Sequence, residues 1–205
     1  MNVASDDLYA VLRHIFAVSP QGVDTHCFKK LYLWRNQSNN ISYNENTETN
    51  VFAAPEPSGP YRLPGGWYAY RSTIHEIAHC AHHKWSRSTY RHCDKIVKES
   101  WARGVAYYVA RAEGYGDDGE YFSNPYTGLV LSLTRDDFGD RVKTSGGTVE
   151  YHLRKFTLSE VERCLKGCTK WNQWRDKLKN TQNGKGQEKE IDKIFDAWAK
   201  CATIQ

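Results

Sequence analysis

The stretch from Pro55 to Trp85 constrains the fold more than any other part of the chain. Its first half, PEPSGPYRLPGG (55–66), carries four of the six prolines, so it is an irregular loop, and a helix begins where it ends. On a wheel turning ~100° per residue, Ile74, Ile77, Ala78, Ala81 and Trp85 share one stripe. His75 and His79 lie together on its flank. Positions i and i+4 project from successive turns of one side, so the two imidazoles can approach a single ion from a rigid base. Glu76, turned about a quarter-turn away, can reach a water on that ion rather than the ion itself. His75, Glu76 and His79 thus spell H-E-x-x-H in the geometry that metal-assisted hydrolysis requires. The bland readings are that Thr73 and Glu76 form a capping box at a helix start, and that the histidines are ordinary surface residues. His83 continues the i+4 series one turn too far from such an ion and is expected to be exposed or to support the site from behind; His82 is unassigned.

Two histidines are too few for a catalytic zinc, which takes three protein ligands and leaves a position to water. The next long helix, within CDKIVKESWARGVAYYVARAEG (93–114) and closed by Gly114, supplies a carboxylate at Glu99. Glu99, Ala102, Ala106 and Ala110 fall on one face, while Val97, Trp101, Val105, Tyr108 and Val109 turn another way to fill a core. A glutamate heading a stripe of methyl groups needs a partner, and a dication is a suitable one. His92 and Asp94 are the substitute ligands if Glu99 is merely solvated.

H-E-x-x-H on one helix with a glutamate on the next resembles the gluzincins, a class of zinc metallopeptidases. STIHEIAH, ESWARGVAYY, YTGLV and TKWNQWRDKLK are further similar to segments of a largely uncharacterised group of bacterial proteins read as zinc metallopeptidases, over about residues 50–200. The resemblance implies an α+β zincin-like fold, Zn2+ held by His75, His79 and Glu99, and peptide-bond hydrolysis by a metalloendopeptidase with Glu76 as general base and then proton donor. It implies a protein or peptide substrate and a secreted or cell-surface location, an intracellular one staying open. Where the thermolysin-like pattern has an acid four residues past the ligand glutamate, this chain has Arg103, so other groups must orient the histidines. Candidate donors to the oxyanion are Tyr107, Tyr121 and Tyr126. An extended substrate is expected to pair with an edge strand containing Asn50, Val51, Phe52 and Ala53. The rival functions are a zinc hydrolase of non-peptide amides and a zinc-stabilised binding module whose catalysis has lapsed.

The rest of the chain is read as one domain, residues 1–205, with an N-terminal sheet and motif helix over 1–92 and a mainly helical portion over 93–205. Ser5 to Phe16 predicts an amphipathic helix, FKKLYLWR (28–35) and TNVFAAP (49–55) predict strands, and the polar segment between them has room for one brief strand. Beyond YTGLVLSL, a helix or strand, three helices follow, in TLSEVERCLKGC, in TKWNQWRDKLK and around Ile191, Ile194, Phe195 and Trp198, the last two joined by a flexible NTQNGKGQEKE. The 28 basic and 24 acidic residues are interspersed and leave +4, which argues against nucleic acid as the partner. No apolar run reaches the ~18 residues of a membrane span. The N-terminus, with Asp6 and Asp7, lacks a signal-peptide pattern, so the chain either stays inside its cell or is a mature form. Six cysteines are too few for a disulfide scaffold and are expected as buried thiols or one or two disulfides.

Overall fold

The computed structural model describes residues 30–35, 40–44, 49–54, 65–112 and 122–200. The expected first helix, the proline-rich loop, the Gly114 cap, Tyr121, Cys27 and Cys201 lie outside the described residues. The chain divides into two compact units, one of residues 1–87 and 105–116, the other of 88–104 and 117–205. It is mixed α and β, as expected. Among the described residues no helix is long and apolar enough to cross a membrane.

In the first unit, β1 (Lys30–Arg35), β2 (Asn40–Asn44) and β3 (Thr49–Ala54) form a sheet of order β1-β3-β2. The strand β1 runs parallel to β3 with Leu33 opposite Phe52, and β2 runs antiparallel to β3 with Ser42 opposite Val51. The two strands expected from the sequence, and the brief third between them, are therefore present. The expectation that Asn50–Ala53 lie on an edge is overturned: β3 is the central strand. Its ladder groups face neighbours on both sides, so it has no free side to offer an extended peptide, and among the described strands the outer ones are β1 and β2.

Helix α1 (Gly65–Trp85) packs along β2 and β3. It begins directly after Pro64, and its last turn carries His82, His83 and Lys84, where positive charge is favourable to the helix dipole. Thr73 and Glu76 lie mid-helix, which removes the capping-box reading. Most of the predicted stripe is buried: Ile74 and Ile77 fully, Ala78 and Ala81 nearly so, with Trp85 at its end half-buried. Burying each isoleucine contributes about 1.5–3 kcal/mol, enough to decide which face turns inward.

Helix α2 (Lys95–Ala112) follows a single helical turn at Arg87–Tyr90. Its first half belongs to the second unit and the remainder to the first. Val97, Trp101, Val105 and Val109 are buried as the pattern predicts, and so are Ala102 and Ala106, whereas Tyr108 is only half-buried and its neighbour Tyr107 is the buried tyrosine.

The second unit continues with α3 (Leu129–Thr134), a 3-10 turn (Asp136–Phe138), the hairpin β4 (Arg141–Thr144) and β5 (Gly147–Glu150), and helices α4 (Leu158–Leu165), α5 (Trp171–Lys179) and α6 (Glu188–Ala199). A methyl group on Gly104 would overlap Val130 Cβ and lie 2.6 Å from its Cγ2, so α2 and α3 approach at backbone distance there. Helix α4 starts with a full capping box: Thr157 Oγ1 accepts from Glu160 N, and Thr157 N donates to Glu160 Oε2 at 2.8 Å. Trp101, Trp171, Trp174 and Phe195 pack edge to face or tilted at centroid distances of 5.0 to 6.5 Å. The buried indole Trp174 N–H donates to Val161 O. Phe122, Phe138 and Trp198 make a second aromatic cluster, where Trp198 N–H donates to Ser132 Oγ at 3.0 Å.

The hairpin was not predicted, because of its side chains only Val142 is buried and no apolar alternation marks it. The connection 180–187 is also not the loose tether expected. Thr181 Oγ1 donates to Leu178 O, Gly184 N donates to Thr181 Oγ1, and buried Gln187 bonds Arg154 N, Arg154 O and Asn183 O. Polar residues here satisfy backbone groups instead of facing water, which composition alone does not reveal.

Candidate metal centre

The histidines His75 and His79 project one turn apart from α1, and Glu99 stands in the second turn of α2. Their ligand atoms, one from each residue, all lie within 4.8 Å of one another, and they are the group of three or more potential ligands that comes together among the described residues. The two imidazoles face Nε2 to Nε2 at 3.0 Å, with ring centroids 4.6 Å apart and planes at 87°. Two Nε2 lone pairs at that distance repel unless a proton or a cation lies between them, so one ring must donate to the other or both must share an ion. Donors around a tetrahedral zinc at ~2.0–2.2 Å stand about 3.3–3.5 Å apart. The histidine pair meets this to within a few tenths of an ångström, and the widest pair of donors needs to close by no more than ~1.5 Å. Two imidazoles and one carboxylate form a donor set that suits zinc and leaves a coordination position for water.

Glu76 and Glu99 are half-buried and His79 is 7% exposed, so the cluster is withdrawn from bulk water without being sealed. The substitute ligands do not join it: His92 is exposed, and Asp94 accepts from Lys170 Nζ at 2.8 Å. Of the two expectations for His83, exposure is overturned, since it is 4% accessible; His82 is fully buried, its ring tilted against that of Trp85 with centroids 5.1 Å apart. A helix with one apolar stripe expects polar residues outward; here covering groups reach past the stripe to its flank, which a wheel cannot show. Arg103 places its guanidinium carbon 5.8 Å over the Phe122 ring, a packing role on a face that the thermolysin-like pattern gives to an acid.

Of the tyrosines, Tyr121 lies outside the described residues. Tyr126 is half-buried in the tight turn where Ser123 N donates to Tyr126 O. Tyr107 is 1% exposed, and its hydroxyl accepts from Arg71 Nη1 at 2.5 Å, the guanidinium carbon standing 4.9 Å from the ring centroid. The sequence reading passed over Arg71, although it opens the series Arg71, His75, His79, His83 at steps of four. That spacing was the signal that could have found it.

A second feature escaped the sequence: next to Glu99, buried Ser100 Oγ donates to Pro125 O at 3.1 Å and accepts from Thr127 Oγ1 at 2.7 Å. Thr127 Oγ1 in turn receives Leu129 N. These bonds fix the rotation of α2 one residue from the carboxylate. Comparison with protein-family models, with curated proteins and with solved structures finds no match.

Proposed function

We propose that the chain is a zinc-dependent metallopeptidase of gluzincin type, in which His75, His79 and Glu99 hold the ion and Glu76 is the general base. The clustering of a half-buried Glu99 with the two H-E-x-x-H histidines, from a helix remote in sequence, carries this reading. When bound, zinc supplies Lewis acidity that makes a water acidic and polarises the scissile carbonyl. Glu76 stands one residue from His75, outside the ligand group, so its carboxylate can take the proton of the attacking water and deliver it to the leaving amine. Partial burial favours this by limiting competing solvent.

Metal analysis of the purified protein beside Glu99→Ala, with hydrolysis of an unfolded protein substrate by wild type and Glu76→Gln, tests the reading. About one zinc per chain is expected, markedly weakened by Glu99→Ala, together with hydrolysis abolished by Glu76→Gln while zinc stays bound. Absence of zinc refutes the site. Zinc without hydrolysis of protein, but with cleavage of small amides, transfers the activity to non-peptide substrates; zinc with no Glu76-dependent activity leaves a zinc-stabilised binding module.

A further inference from the structure

Three thiols that the proposed chemistry does not use lie close together in the second unit. Cys93 sits just before α2, Cys164 in the last turn of α4 and Cys168 in the corner between α4 and α5. All three are buried, at 6%, 7% and 0% exposure. Cys93 Sγ donates to Cys168 O at 3.5 Å across 75 positions of sequence, and the next residues are joined through the backbone, Asp94 N donating to Thr169 O at 2.8 Å. The ion pair of Lys170 with Asp94 closes the same seam. Two chain segments held at backbone hydrogen-bonding distance bring their Cα atoms near the 4.4–6.8 Å that a disulfide requires. Cys164 is a poorer partner for Cys168: the two are four apart at a helix end, and Cys168 Sγ already donates to Cys164 O at 3.2 Å along the chain.

We propose that Cys93 and Cys168 are a disulfide-forming pair that staples the start of α2 to the α4–α5 corner when the chain folds under oxidising conditions, Cys164 remaining a thiol. In the folded, reduced protein the pair reacts slowly. Burial holds the Cys93 thiol at about 12, well above its ordinary value, with neighbouring Lys98 only partly offsetting this, and it pushes Cys168 up as well, against the pull of Lys177. Thiolate, the attacking species, is scarce there. The bond therefore forms late in folding, as the two segments come into register and before the seam excludes solvent. One thiolate attacks a glutathione disulfide and releases one glutathione thiol; the second protein thiolate then attacks the mixed disulfide and releases the other. Two protein thiols lose two protons and two electrons, and one glutathione disulfide becomes two thiols. The staple would close a loop of 75 positions ending within two turns of Glu99.

The test uses the full chain, unfolded and refolded in a reduced and oxidised glutathione buffer, then alkylated and mapped by non-reducing peptide mass analysis. The expected product links the Cys93 and Cys168 peptides and carries alkylated Cys164. Its thermal midpoint falls by roughly 5–10 °C on adding a phosphine reductant, and Cys93→Ala loses that dependence. Mapping needs only the wild-type chain, so a poorly folding variant does not remove the test. Alkylation of both Cys93 and Cys168, or pairing of either with Cys164, Cys80, Cys27 or Cys201, overturns the proposal.

Discussion

Replacing Gly104 with alanine sets two effects of opposite sign against each other. In a helix interior alanine is favoured over glycine by about 1 kcal/mol, so an unobstructed Gly104→Ala would be stabilising. Here the added methyl would overlap Val130 Cβ and lie 2.6 and 3.0 Å from Cγ2 and Cγ1, where carbon atoms ordinarily rest at ~3.5–4.0 Å. A rotamer change at Val130 moves the two γ-carbons but not Cβ, so α2 and α3 must separate by about 1 Å, opening gaps in a core packed at close to crystalline density. Overpacking of this kind costs about 1–3 kcal/mol or more. With backbone-proximal atoms on both sides the upper part of the range applies, which leaves a net loss of about 2 kcal/mol after the propensity gain. For a chain of this length that lowers the melting midpoint by roughly 4–8 °C, measured by circular dichroism and by urea titration. The partner substitution sharpens the test. Val130→Ala removes only the γ-carbons and should rescue little, whereas Val130→Gly with Gly104→Ala restores the spacing and should show favourable coupling of about 1 kcal/mol or more. A Gly104→Ala protein as stable as wild type, or more so, would refute the close approach of α2 and α3.

In the phosphine-reduced protein the buried Cys93 proton stabilises the fold fully below pH 9, the thiol's ordinary value, and that contribution is lost as the pH climbs toward the folded value of about 12. At pH 10 the loss is about 1.4 kcal/mol, so the stability gap between wild type and Cys93→Ala in urea should narrow by that amount from pH 8 to pH 10; an unchanged gap contradicts the burial. Thr157→Ala removes the acceptor of the α4 capping box and should cost about 1 kcal/mol in chemical denaturation, with Thr157→Ser retaining most of it. Zinc at one hundred times its dissociation constant stabilises by about 2.7 kcal/mol, so a chelator should lower the melting midpoint of wild type by several degrees and that of Glu99→Ala by clearly less. Equal shifts would remove Glu99 from the ligand set.

Among the parts legible from sequence, the α1 stripe stands first, because Ile74, Ile77, Ala78 and Ala81 recur with the period of the helix that buries them. The buried face of α2 and the helices around Val161, Trp174 and Ile194 follow from the same periodicity, and H-E-x-x-H places His75 and His79 on successive turns wherever a helix forms. Three features show what periodicity misses. The hairpin at 141–150 has too few buried side chains to leave a pattern, and the run 180–187 looks loose because its polar groups satisfy backbone partners that are distant in sequence. His83, on the flank of an apolar stripe, is buried by groups that no wheel contains.

The local sequence determined which segments are helical and which face of each turns inward, since hydrogen bonding and side-chain spacing within a helix are settled over a few residues. Tertiary structure alone decided that β3 lies between β1 and β2, that Gly104 brings α2 against Val130, that Cys93 meets the Cys168 corner, and that Glu99 rather than His92 or Asp94 joins the two histidines. Each of those is a meeting of residues far apart in the chain, fixed by the packing of whole elements and encoded in no single stretch of it.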